Sequence, residues 1–213
     1  DEEDDFIQKL ETIDLSENSN LEQVFGNTQK RIPLLRSLEA VDYENLKVKT
    51  EDYFQLLKSK GTNDKAVSLK NTKLLSANPG IRVLLLILGF PAFLYGGLNH
   101  LFAFGIPALV TKLAKLYIGY DSAVKTMVGL ITFPLFYILQ FKIVNTYFDS
   151  GIATIYILTL PILGLFAWKY AGFYNLTRAI ISFSKLGKKE KTRILKSREV
   201  LKIFAHEQQP LFA

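Results

Sequence analysis

The stretch GIATIYILTLPILGLFAWKYAG, residues 151–172, decides how the rest of the chain is read. Its 22 residues carry one formal charge, Lys169, close to the end. At about 1.5 Å of rise per residue such a helix reaches roughly 33 Å, enough to cross a hydrocarbon core of about 30 Å with some tilt. Trp168, Tyr170 and Tyr174 gather at one end, where amphipathic rings favour the membrane–water boundary. The pattern predicts a transmembrane helix.

Two more apolar runs precede it. TMVGLITFPLFYILQF, residues 126–141, lies uncharged between Lys125 and Lys142, whose long stems can carry their heads to the interface. VNTYFDS, residues 144–150, reads as the tight turn joining this run to the next. Further back, 29 residues from Val83 to Thr111 hold no formal charge. That is long for one crossing and short for two, at about 20 residues each. Pro91, Gly96, Gly97, Asn99, His100, Gly105 and Pro107 interrupt it. The reading is a re-entrant hairpin over about 81–111, with its break in LNHLFAFG, residues 98–105.

Charge separates the rest. Residues 1–80 hold 15 acids and 11 bases, and residues 81–213 hold 5 acids and 15 bases. The acidic part carries amphipathic stripes: Phe6, Ile7, Leu10 and Ile13, then Leu21, Val24, Phe25, Leu34, Leu35, Leu38 and Val41, then Tyr43, Leu46, Tyr53, Phe54 and Leu57. Pro33 suits a helix start, Asp42 a first turn and Gly61 a helix end. With few core residues of its own, this half is expected to pack on another domain. Breaker residues SANPG, 76–80, separate it from the membrane runs. The expected fold is all-α: soluble amphipathic helices (1–78), a helical membrane domain made of the re-entrant hairpin plus a two-helix transmembrane hairpin (79–175), and a basic amphipathic tail (176–213) broken at Gly187. Lysine and arginine mark the cytoplasmic side. Only Lys142 and Asp149 occupy the 142–150 loop, so both termini and the basic tail are expected in the cytoplasm. The start at Asp1 with DEEDD is unlike a signal peptide and fits a processed or partial chain.

Few residues suggest chemistry. There is no cysteine, which excludes disulfides and thiolate metal sites. His100 could be a base or ligand in the membrane, a position that marks function by default. No carboxylate lies within four residues of it, so it reads as the polar turn of the hairpin. His206 with Glu207 offers too few ligands for a metal. Pro91, Pro107, Pro134 and Pro161 read as shaping helices, the competing role being to frame a lipid or ion path. Gly129, Gly151 and Gly164 allow close helix contact. Lys185, Lys188, Lys189, Lys191 and Arg193 are candidates for anionic headgroups, each worth about 1 kcal/mol near such a surface. No nucleotide, cofactor or metal motif is present, and nucleic acid is not an expected partner.

Three segments carry a resemblance: LLLILGFPAFLYGGLNHLFAFGIPALVTKLAK, DSAVKTMVGLITFPLFYILQ and ILTLPILGLFAWKY. From about Leu46 to Ala171 the chain resembles the C-terminal membrane region of glycerol-3-phosphate/dihydroxyacetone-phosphate acyltransferase-like proteins. The resemblance implies a catalytic domain upstream, with a histidine, four residues and an aspartate as its hallmark. Neither histidine here heads that motif: five residues on stand Gly105 and Leu211. It therefore implies a non-catalytic anchoring portion, with the upstream domain as partner. A hairpin-type membrane-shaping or adaptor protein, clamping anionic lipid with its basic tail, is the alternative.

Overall fold

The computed structural model describes residues 2–17, 32, 33, 35, 40–70, 78–114 and 118–206. All secondary structure among them is helical. The elements are α1 (Glu2–Glu17), α2 (Ala40–Ser59), α3 (Asp64–Lys70), α4 (Pro79–Ala114), α5 (Ile118–Tyr147), α6 (Ser150–Lys185) and α7 (Lys188–His206).

Local chemistry sets the boundaries. Gly61 ends α2 in the left-handed region, φ +61°, a conformation that a Cβ disfavours. Thr62 N–H then donates to Leu57 O at 3.0 Å and Gly61 N–H to Lys58 O at 3.1 Å, the paired bonds that close a helix C-terminus. Asn63 caps α3 through a 2.9 Å bond from Ala66 N–H. Asn78 caps α4, accepting from Gly80 N–H at 2.9 Å, with Pro79 in the first turn where a missing N–H costs nothing. Asp149 caps α6, accepting from Gly151 and Ile152 N–H at 2.7 and 3.0 Å. The expected turn at 144–150 is thus shorter: helix runs to Tyr147 and resumes at Ser150. The expected break at Gly187 is found between α6 and α7.

The all-α class holds, and α4, α5 and α6 are long and apolar enough to cross a membrane. The break expected in residues 98–105 is absent. Hydrogen-bonded helix continues from Pro79 to Ala114 through Gly96, Gly97, Asn99 and His100. Helix satisfies nearly all backbone groups within the segment, as an apolar run placed in lipid requires, the exceptions being the carbonyls four residues before Pro91 and Pro107. The two polar side chains that suggested a turn bond within the helix instead: Asn99 Nδ2 donates to Tyr95 O at 2.8 Å, and His100 Nδ1 lies 2.8 Å from Gly96 O.

The chain forms two compact units, Asp1–Leu84 with Tyr174–Ala213, and Leu85–Phe173. The first joins the two ends of the chain, which the sequence reading kept as separate regions. Its core takes Phe6, Leu10 and Ile13 from α1, Leu46, Tyr53 and Leu57 from α2, Val67 from α3, Phe183 from the end of α6, and Ile194 and Leu201 from α7. The buried stripes of α1 and α2 therefore share a core with the apolar side of the basic tail. Full burial of each such side chain stabilises by roughly 1.5–3 kcal/mol. Leu21, Val24, Phe25, Leu34 and Leu38 lie outside the described residues. Also in this unit, Arg82 in the first turns of α4 donates through Nε to Thr177 Oγ1 of α6 at 2.9 Å, both residues buried.

In the second unit the partners of α4 change along its length. Tyr170 Oη of α6 donates to Leu86 O at 2.6 Å, and Gly96 lies against the Leu163 carbonyl of α6. From Ala103 onward the neighbour is α5: Thr132 Oγ1 donates to Ala103 O at 3.4 Å, and Ala108 shares a cavity wall with Thr126 and Gly129. Midway, Asn99 meets both helices through Gln140 and Tyr156, which stand eight residues either side of Phe148 in the turn. Thr126 and Tyr170, by contrast, stand 22 residues either side of it. The middle of α4 thus pairs near the turn, and both of its ends pair far from it.

Candidate functional site

The second unit exposes large apolar side chains along all three helices, among them Leu88, Leu98, Leu130, Leu158 and Ile162, each more than 60% accessible. In water this surface would drive association. In a bilayer it is the lipid-facing surface. Its interior is polar at two levels. At the first, Gln140 Nε2 donates to Asn99 O at 2.7 Å and Tyr156 Oη donates to Asn99 Oδ1 at 2.5 Å. One amide and one phenol so tie α5 and α6 to the middle of α4.

The second level is His100, whose ring is 1% exposed. A carbonyl oxygen only accepts, so Nδ1 carries a hydrogen and donates to Gly96 O. In the neutral ring Nε2 is then the acceptor, and Tyr137 Oη donates to it at 2.9 Å. The ring fits because Gly164 of α6 has no side chain. A Cβ there would stand 2.6 Å from Nε2 and 2.8 Å from Cε1. A second close approach occurs at Gly96, where a Cβ would lie 2.3 Å from Leu163 O. Beside His100 and Tyr137 a cavity of about 410 Å³ opens, walled by Phe104, Phe133, Pro161, Leu165 and Trp168. Phe104 and Phe133 meet edge to face at 5.0 Å, and the Lys169 ammonium sits 5.3 Å over the Trp168 ring. His100 is therefore neither a turn residue nor part of a carboxylate dyad. It is the buried centre of a three-helix contact.

The proposed headgroup residues all fall in the first unit, around the α6–α7 break. Lys185, Lys188, Lys189 and Arg193 are exposed. Lys191 is half-buried and donates to Ser184 O at 2.7 Å, so it bridges the break. Arg193 and Lys196 of α7 share with Lys49 of α2 a groove of about 340 Å³. The apolar side of this basic stretch is already used in the core, which leaves charge as its means of reaching a headgroup.

Sequence reading missed the most buried ionic group. Asp64, the first residue of α3, accepts from Arg198 Nε at 2.8 Å, from Arg198 Nη2 at 3.1 Å and from Tyr53 Oη at 2.5 Å. Burial first, and the adjacent Asp64 carboxylate second, push the Tyr53 phenol far above its ordinary range. This cluster joins α2, α3 and α7, and Tyr53 also lines the groove beside Lys49, Arg193 and Lys196. Among the described residues no group of three acidic or histidine side chains is arranged to hold a metal. Glu207, the neighbour of His206, lies outside the described residues.

Comparison of the chain with protein-family models, with curated proteins and with solved structures finds no match in any of the three.

Proposed function

We propose that the chain is the membrane-anchoring, non-catalytic portion of a glycerophospholipid-synthesis acyltransferase, holding a catalytic domain at the cytoplasmic face. The observation that carries this reading is that the segments resembling that family's membrane region are the three span-length helices. Acceptor and product of such a transfer both reside at the bilayer surface, so anchoring replaces a search through solution by a search in two dimensions.

The unit that joins the chain ends supports a topology for the anchor. α1–α3 and α7 share one core, so they occupy one side of the membrane. Complete crossings between them must then be even in number. α5 and α6 supply two, so in this reading α4 enters without completing a crossing. Its register supports this, since both of its ends pair far from the α5–α6 turn. In this topology Arg82, Lys112, Lys125 and Lys169 would all face the cytoplasm, in agreement with the positive-inside bias.

Two experiments test the reading. The chain has no cysteine, so Ser122→Cys and Ser150→Cys can be labelled from either side of a sealed vesicle. Ser122→Cys is expected to react from the side of the basic tail and Ser150→Cys from the other; reaction of both from one side refutes the topology. Acyl transfer to a glycerol-phosphate acceptor is expected from the parent protein and not from this chain alone. Robust transfer by this chain alone refutes the anchoring role, and a parent without transfer activity refutes the acyltransferase.

A second reading, an adaptor hairpin clamping anionic lipid, is favoured by the exposed Lys185, Lys188, Lys189 and Arg193. Glutamine at these four positions is expected to abolish co-purification of anionic lipid under that reading.

A further inference from the structure

We infer that the cavity beside His100 is an intramembrane binding site for a lipid bearing a free hydroxyl, which donates its hydrogen to Tyr137 Oη. The inference rests on the membrane reading of the second unit. Tyr137 spends its single hydrogen on His100 Nε2. The His100 ring is fixed by its Gly96 bond and by the notch at Gly164. A phenol oxygen that donates still has lone pairs to offer, and Tyr137 and His100, the two partners of this bond, both line the cavity. All other walls except the histidine are hydrocarbon, aromatic or proline surface, apart from the indole N–H of Trp168.

Such a pocket selects by two features. Its volume of about 410 Å³ lies within the roughly 300–1,000 Å³ typical of small-ligand sites, and its walls suit an acyl chain. Its polar feature is an acceptor, so the complementary group is a donor. In hydrocarbon an aliphatic hydroxyl supplies such a donor without a charge. An esterified lipid fills the same walls and leaves the acceptor unmatched. A carboxylate would face the oxygen with lone pairs on both sides. Diacylglycerol has the required combination, a free hydroxyl beside acyl chains.

Trp168 lines the cavity and is the one tryptophan of the chain, which makes the site directly readable. The full chain is reconstituted in phosphatidylcholine vesicles, and Trp168 emission is followed as a dibrominated-acyl lipid is added. Three quenchers are compared at equal mole fraction: dibromo-phosphatidylcholine, dibromo-diacylglycerol, and the same diacylglycerol with its hydroxyl acetylated. The free hydroxyl is expected to raise occupancy about 2- to 12-fold over the acetylated form, the range for one net hydrogen bond. Tyr137→Phe is expected to bring that ratio to one while circular dichroism stays unchanged. Equal quenching by the free and acetylated lipids overturns the proposal. That comparison uses the wild-type chain, so it stands even where the variant misfolds. Failure of dibromo-phosphatidylcholine to quench at all would instead overturn the membrane placement of the helices.

Discussion

Arg198→Met tests the account of the extramembrane core. Arg198 and Asp64 side chains are 3% and 0% exposed. Removing the guanidinium leaves a desolvated carboxylate with Tyr53 as its remaining strong donor among the bonds described above. Breaking a buried pair from one side costs about 3–5 kcal/mol, against roughly 5–15 kcal/mol for a whole domain. The equilibrium for opening α3 should therefore shift by roughly 150- to 5,000-fold. Hydrogen exchange read by mass spectrometry on α2, α3 and α7, in detergent or vesicles, measures that shift segment by segment. The triple variant Asp64→Leu, Tyr53→Phe, Arg198→Met removes these three mutually bonded groups together and should recover part of the loss, because the buried carboxylate goes with its guanidinium and phenol partners. Exchange in the single variant within about threefold of wild type would refute the reasoning, as would a triple variant no better than the single one.

Gly96→Ala should disrupt the α4–α6 contact, since its Cβ would meet a backbone carbonyl, whereas Gly97→Ala, with nothing within 4 Å, should behave as wild type; thermal melts of the two in one detergent make the comparison. Gly61→Ala should lower first-unit stability by about 1–2 kcal/mol through its positive φ alone, because a Cβ there meets nothing closer than 3.6 Å, and Gly61→Asn should cost less. Hydrogen bonding from Lys9 holds the Glu51 carboxyl below its usual range, and bonds to Asp5 and then Glu51 raise the Lys9 ammonium above its own. The carboxylate's contribution is present above about pH 4.5 and lost as pH falls further, and the ammonium's is present below about pH 10.5 and lost as pH rises past it. Both ends are solvent-accessible, so acidification from pH 6 to 3 should cost no more than about 1 kcal/mol through this pair, with Glu51→Gln removing the dependence; a larger loss that survives Glu51→Gln would assign it elsewhere.

The legible part of this chain was what local pattern and charge determine. Apolar length fixed α5 and α6, and Gly61, Pro79 and Gly187 marked boundaries where they were expected. Intermediate length and flanking bases suggest a re-entrant hairpin over 81–111, but the turn that reading requires is continuous helix. Gly96 and Gly97 in the 81–111 run suggested a break because only their backbone freedom was weighed. In the fold Gly96 serves close approach to Leu163, and Gly164 gives room to His100. Those are tertiary roles that a local window cannot display. Tyr137, Gln140 and Tyr156 were overlooked because each is one polar group in an apolar run, and their partners stand 37 to 57 residues away. Asp64 and Arg198 are 134 residues apart, and each looks like an ordinary helix-surface charge. The tail's amphipathic stripe was seen correctly, but pattern alone does not say whether protein or lipid covers it.

Because α7 supplies part of the core shared with α1–α3, that core stays incomplete until the three long apolar helices have been made. Roughly 100 residues separate α3 from α7, about 5–20 s of synthesis at ordinary elongation rates. During that interval Phe6, Leu10, Tyr53 and Leu57 await their partners while the hairpins enter the bilayer. Closure of the core is then a record of insertion: in the proposed topology the shared core of α1–α3 and α7 would close only on chains whose two ends lie on one face.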